Sequence, residues 1–247
     1  MTLVPDVRIA IRDLHKSFGA NHVLRGVSMD VHSGTNAVVM GGSGSGKSVL
    51  IKTIVGLMRP DSGGVWIDSL KVDELAEKEL DELRLDIGYL FQSGALFDSM
   101  TVAENLSFIL ERHSGMTRAE RRDRVMEVLE WMKLPDKASD LPSELSGGQK
   151  KRIALARAIV LNPSILMYDE PTTGLDPLSV RAVSELIVRL RDERQITSMV
   201  ITHDLLCAEI VADSAHFIHE GVIAESGSLS ELRASAHPII RTFFQEN

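Results

Sequence analysis

The chain has 247 residues, 44% of them apolar, which is enough to bury the core of one large α/β domain or two small ones. No apolar run reaches the roughly 18 residues of a membrane helix, and Met1 to Ala10 lacks the order of a secretion signal, so a soluble cytoplasmic protein is expected. A net charge of -8 argues against a nucleic-acid backbone as main partner, and the sole cysteine, Cys207, rules out an intramolecular disulfide or a thiolate metal cluster built from this chain alone.

"VRIAIRDL" alternates Val7, Ile9 and Ile11 against Arg8 and Arg12, the period of a half-buried strand. "NAVVM" is a continuous apolar run ending in glycines, and "SILMY" and "SMVIT" repeat the pattern; such runs among helical patterns predict a largely parallel sheet with helices on its faces. Between the first two lies "FQSGALFDSM", where Gln92 precedes a shallow apolar notch of small residues. From Thr101 to Val160 the helical period takes over: Thr101-x-x-Glu104 and Thr117-x-x-Glu120 match capping boxes, and Val125, Val128, Leu129 and Met132 share a face. The basic clusters "RRDR" at Arg121 and "KKR" at Lys150 fall inside helical patterns and read as solvated faces. "HFIHEGVIAESG" predicts a hairpin turning at Glu220-Gly221.

The chemistry concentrates in three segments. Gly41, Gly42, Ser43, Gly44, Ser45 and Gly46 lead into Lys47 and Ser48, between a buried strand and a helical pattern from Val49. That context suits a phosphate cradle, with backbone N–H groups converging, Lys47 reaching the β and γ phosphates and Ser48 ligating Mg²⁺. "SILMYDEP" places Asp169 to hold Mg²⁺, directly or through water, and Glu170 to act as general base on a water attacking the γ-phosphate. "LSGGQKKR" offers Ser146 as N-cap and Gly147, Gly148 and Gln149 as a second anion-binding helix start. One nucleotide does not need two cradles in one chain, so the second is expected to serve a nucleotide held by another protomer.

The P-loop, "LSGGQ", "SILMYDEP", "GLDP" at Gly174 and His203 in "ITHD" occur in the order found in ATP-binding cassette (ABC) ATPases, and the resemblance spans nearly the whole chain. It implies an α/β fold, a P-loop NTPase (RecA-like) core with an N-terminal antiparallel β portion and an inserted helical subdomain. The implied division is a single domain, with residues 1–92 and 161–236 as core, 93–160 as the helical subdomain and 237–247 as a tail. It further implies that Gln92 contacts Mg²⁺ or the attacking water, that His203 contacts the γ-phosphate, that Asp176 communicates across a nucleotide-sandwich dimer and that Phe18 stacks on adenine. Asp176 before Pro177 is also a sound helix start.

The same resemblance implies a separate permease docking near Gln92–Phe97, with Ser93, Gly94 and Ala95 as floor and Leu96 and Phe97 as walls; a tight turn packed in its own domain uses the same residues. "LFQSGALFDSMTVAENLSF", Gly42-Ser43 and the late "HPIIRTFF" resemble the ATPases of Mla/Mce lipid-trafficking systems. These imply phospholipid transport, an Mce-type lipid-binding subunit and a position on the cytoplasmic face of the inner membrane. The alternatives are a small-solute importer and a non-transport ABC protein acting on DNA or the ribosome, the last disfavoured by the compact middle and acidic balance. Ile239, Ile240, Phe243 and Phe244 recur at helical spacing, so the tail docks either on a partner protomer or on its own domain.

Overall fold

A strand with no polar face must be covered on both sides, and the three apolar runs meet that demand by lying together in one sheet. The computed structural model describes residues 6–246. In chain order its elements are β1 (Val7–Phe18), β2 (Asn21–His32), β3 (Asn36–Met40), α1 (Lys47–Ile54), β4 (Ser62–Ile67), β5 (Leu70–Lys71), α2 (Glu77–Leu85) and β6 (Ile87–Leu90). There follow α3 (Val102–His113), α4 (Arg118–Trp131), α5 (Gly147–Ile159), β7 (Ile165–Asp169), α6 (Pro177–Arg194) and β8 (Thr197–Ile201). The chain closes with α7 (Leu205–Val211), β9 (Ser214–His219), β10 (Val222–Gly227), α8 (Leu229–Arg233) and α9 (Pro238–Glu246).

The main sheet has the order β10-β9-β3-β8-β7-β6, parallel from β9 to β6, with β10 added antiparallel through the Glu220-Gly221 turn. Both turn residues have positive φ, 45° and 78°, as a tight hairpin of this hand requires. A second sheet, β2-β1-β4-β5, is antiparallel.

Alternate residues of each central strand feed two separate cores. Ala37, Val39, Ile165, Met167, Met199 and Ile201 pack toward α1 and the antiparallel sheet. Val38, Met40, Leu166, Tyr168 and Val200 face the cluster formed with α3 to α7 and α9. The segment from α3 to α5 therefore shares its apolar interior with one face of the sheet. Its helix starts are the ones the sequence marks: Thr101 and Thr117 each accept from the N–H three residues on, and Glu104 and Glu120 reach back to cap the threonine amides.

One expectation changes here, and for the tail one of the two open alternatives is seen. Lys151 does not belong to a solvated face: it is only 7% exposed, although its neighbour Lys150 lies in water. The tail is spent on its own domain, because Ile240 and Phe243 are buried in the helix-side core and the Phe243 ring meets Phe217 edge to face, 5.2 Å between centroids. Only Ile239 of the tail's apolar set stays markedly outward, at 42% exposure.

Candidate nucleotide site

In parallel α/β sheets ligands gather beyond the carboxyl ends of the strands. Here β3, β8, β7 and β6 are consecutive neighbours, and their ends deliver in a row the glycine loop, His203, Asp169 with Glu170, and Gln92. Neighbouring strands lie about 4.8 Å apart, so the four ends span roughly 14 Å, room for a phosphate chain with groups on either side of it. A cavity of about 660 Å³ opens there, lined by Val23, by loop residues from Gly41 to Val49, and by Gln92, Glu170, His203, Phe243 and Glu246.

The loop has its shape because glycine alone fits it. Gly41 has φ 152°, and a Cβ there would lie 2.2 Å from the Ile218 carbonyl oxygen. Gly46, φ 105°, caps α1 in the left-handed conformation and backs onto Val23 and Leu24. Lys47 begins α1, and its Nζ donates to the carbonyls of Gly41 (2.7 Å) and Gly42 (2.8 Å). Burial lowers the Lys47 pKa, while the charges of Glu170 and Asp169 act to raise it. An ammonium held inside a ring of amides at a helix start is a site for phosphate oxygens.

Ser48 Oγ lies 3.5 Å from Asp169 Oδ1, and Tyr89 OH donates to Asp169 Oδ2 at 3.4 Å. Burial raises the Asp169 pKa, and the Tyr89 hydrogen bond works against it. Hydroxyl and carboxylate oxygens converging beside a phosphate cradle, with the Gln92 amide at the same cavity, fit Mg²⁺, a hard ion that takes oxygen ligands and keeps several waters.

Glu170 is only 8% exposed and has φ 54°, unusual for a residue with a side chain. Its N–H donates to the Ile201 carbonyl at 3.0 Å, Thr173 Oγ1 donates to Oε2 at 3.1 Å, and His203 Nδ1 stands 2.9 Å from the same oxygen. The loop carrying His203 is pinned by Asp204, which caps α7 and accepts from Thr172 Oγ1 at 2.9 Å.

Other predicted residues lie apart from this cavity. Ser146 caps α5 in a reciprocal box with Gln149, so the amides of Gly147 and Gly148 are held at a helix start, yet none of residues 146–149 lines the cavity, nor does Asp176, which caps α6. Gly148 has a second reason to be glycine: a Cβ would meet Ser179 Oγ at 2.7 Å. Phe18 is 49% exposed near the β1–β2 turn, with Lys16 Nζ 5.7 Å from its ring, and Val23, not Phe18, reaches the cavity wall.

The notch after Gln92 is fixed by its neighbours. Asn105, fully buried on α3, accepts from the Phe97 N–H (2.8 Å) and donates to the carbonyls of Phe97, Met100 and Thr101. Arg157 of α5 donates to the carbonyls of Ala95 (2.7 Å) and Gly94 (3.1 Å). A groove of about 810 Å³ runs past this notch, walled by Phe91, Ala95, Phe97, Ile109 and Leu161. Leu96, half-buried against the helix-side core, lines a second cavity of about 480 Å³ with Ser93, Gly94 and Ala95, so the two expected walls, Leu96 and Phe97, border different cavities.

A family model described as ABC transporter matches residues 24–173. The chain belongs to the ABC transporter family. It is an ATP-binding cassette, and its reaction is hydrolysis of ATP to ADP and phosphate with Mg²⁺. The probable ribonucleotide transport ATP-binding protein mkl of Mycobacterium leprae is 38% identical to this cassette, over 96% of this chain and 68% of that protein. Protein TRIGALACTOSYLDIACYLGLYCEROL 3, chloroplastic, of Arabidopsis thaliana is 40% identical, over 96% of this chain and 73% of that protein. Among solved structures, a dimeric ATP-binding cassette in a post-hydrolysis state with ADP and Pi matches with a TM-score of 0.81 and 32% identity, over 90% of this chain and 98% of that one.

Sequence reasoning did not find Tyr89, Thr173, the Thr172–Asp204 tie or the nearness of α9 to the cavity. The first three are ordinary polar residues whose significance comes from strand adjacency, and the last depends on which face of α9 is buried.

Proposed function

We propose that this cassette is the ATPase subunit of a transporter of the Mla/Mce type, which moves phospholipid or a related lipid between bacterial envelope membranes. The observation that carries the transport reading is the position of one short segment: Gln92 borders the nucleotide cavity while its neighbour Phe91 walls the exposed groove. A permease helix seated in that groove feels any movement of Gln92 that accompanies binding or loss of the γ-phosphate.

In this reading Lys47 and the amides from Gly41 to Val49 hold the phosphates, and Phe18 stacks on adenine. Ser48, Asp169 and Gln92 would hold Mg²⁺, which when bound would supply positive charge beside the phosphates. Glu170 takes the proton of the attacking water, with His203 orienting its carboxylate and facing the γ-phosphate. Two copies close head to tail, so that Ser146 to Gln149 and Asp176 of each complete the site of the other. One domain does this, with residues 93–160 as its helical subdomain and 237–247 as its tail. It sits on the cytoplasmic face of the inner membrane, bound to a separate permease and through it to an Mce-type lipid-binding subunit, without nucleic acid.

The lipid reading is supported by the wording of "LFQSGALFDSM" and by the likeness to a relative named for trigalactosyldiacylglycerol, a glycolipid. A relative named for ribonucleotide transport supports the second reading, a small-solute transporter with the same catalytic residues. The test is to isolate tagged Glu170→Gln protein from its native membranes in mild detergent and identify bound proteins and lipids by mass spectrometry. A permease with an Mce-type subunit and enriched phospholipid is the expected result; a permease with a solute-binding protein and no enriched lipid selects the second reading.

A further inference from the structure

An ammonium group taken out of water is costly unless its donors are used, and Lys151 of α5 is a buried one whose partners are both backbone oxygens of the active site. Its Nζ donates to the Glu170 carbonyl at 3.2 Å and, by a closer contact, to the Gln92 carbonyl. These two residues end adjacent strands, β6 and β7, and both line the nucleotide cavity. Glu170 meanwhile sits in a left-handed backbone conformation that its surroundings must maintain: its N–H donates to the Ile201 carbonyl, and its own carbonyl accepts from Lys151 Nζ at 3.2 Å and, at a longer 3.4 Å, from the Thr173 N–H. The grip of α5 on the segment after Gln92 continues through Arg157, which binds the Gly94 and Ala95 carbonyls.

We propose that Lys151 is a positioning residue for ATP hydrolysis, holding the backbone of Glu170 and of Gln92 in register so that the placement of α5 sets the placement of the base. The proposal rests on the reading of Glu170 as base. Its consequence is a link between the two composite sites. On the dimer reading the start of α5, Gly147 to Gln149, cradles the partner's nucleotide, and one turn further along the same helix Lys151 holds the Glu170 and Gln92 carbonyls of its own site. Engagement of one nucleotide then tightens the machinery acting on the other.

Methionine and glutamine have side chains of equal length, and only glutamine keeps an NH₂ that can donate to both carbonyls. Steady-state ATP hydrolysis with Mg²⁺ is measured for the full-length wild type, Lys151→Met, Lys151→Gln, Glu170→Gln and the Lys151→Met/Glu170→Gln double variant, with thermal melts to verify folding and Lys151→Ala as a second donor-free variant. Misplacing a catalytic group by about 1 Å costs on the order of 10²-fold. The expected result for Lys151→Met is a kcat loss of that order with KM for ATP changed less than about threefold. Lys151→Gln should regain about tenfold of that loss, and the double variant should be no slower than Glu170→Gln alone. Wild-type kcat in the donor-free variants, a loss confined to KM, equal rates for the Met and Gln variants, or fully additive losses in the double variant would each overturn the role of Lys151. A wild-type rate for Glu170→Gln would overturn the base assignment and the route through it, whereas a slow Glu170→Gln beside a fast Lys151→Met would overturn the Lys151 role alone.

Discussion

His203 Nδ1 lies 2.9 Å from Glu170 Oε2, so the residues that follow β8 and β7 meet through their side chains at the rim of the nucleotide cavity. Glu170 keeps a second partner on the same oxygen, Thr173 Oγ1, which leaves its carboxylate held but less directed when the histidine is removed. His203→Ala is therefore expected to lower kcat by roughly 10²-fold with KM for ATP nearly unchanged, in keeping with loss of an orienting group. Single-turnover kinetics read this directly.

The glycine loop separates steric demand from conformational demand. A Cβ at Gly41 would press on the Ile218 carbonyl at 2.2 Å, whereas at Gly44, φ 75°, it would meet nothing within 4 Å. Gly41→Ala is expected to cost about 2–3 kcal/mol and to misplace the loop, abolishing ATP binding. Gly44→Ala carries only the backbone penalty of about 1 kcal/mol. Chemical denaturation of the two variants, alongside nucleotide titration, checks the difference.

Gly148 tests whether a signature glycine serves packing as well as phosphate. Gly148→Ala should wedge α5 from α6 at Ser179, where the contacts would be 2.7 Å to Oγ and 3.1 Å to Cβ. Adding Ser179→Gly removes both contacts and should restore thermal stability. If the amides of residues 147–149 face the partner's nucleotide, ATPase activity stays low in the double variant even as stability returns.

His216 makes stability depend on pH. Burial lowers its pKa from 6.5 to about 4, with the nearby Asp30 charge opposing the shift and His32 adding to it. The unfolded chain therefore binds more protons than the folded one between these two values, and stability rises with pH across that window. The full span is worth roughly 3 kcal/mol. Unfolding free energies at pH 4.5 and 7 should differ more for the wild type than for His216→Asn, and equal differences would show that His216 is not the group responsible.

What the sequence disclosed follows from which interactions are local. Helix starts at Thr101, Thr117 and Ser146 were legible because a cap and its reciprocal carboxylate or amide lie within four residues. The buried strands were legible because a strand covered on both faces cannot carry a polar one. Lys151 was misread for the complementary reason: its partners lie 59 and 19 residues away, and only the fold brings two strand ends beneath one ammonium. Leu96 and Phe97 part company at a turn where Gly94 and Ala95 both have positive φ: Phe91 and Phe97 wall one groove, while Leu96 lines another with Ser93, Gly94 and Ala95.

The most direct test of the account is ATP hydrolysis and association state of Glu170→Gln measured together with Mg²⁺ and ATP, by phosphate release and by light scattering. The account predicts turnover reduced by roughly 10²–10⁴-fold, with ATP still bound and a stable dimer trapped around it. Turnover at the wild-type rate, or a protein that binds ATP but stays monomeric at every concentration tested, would contradict it.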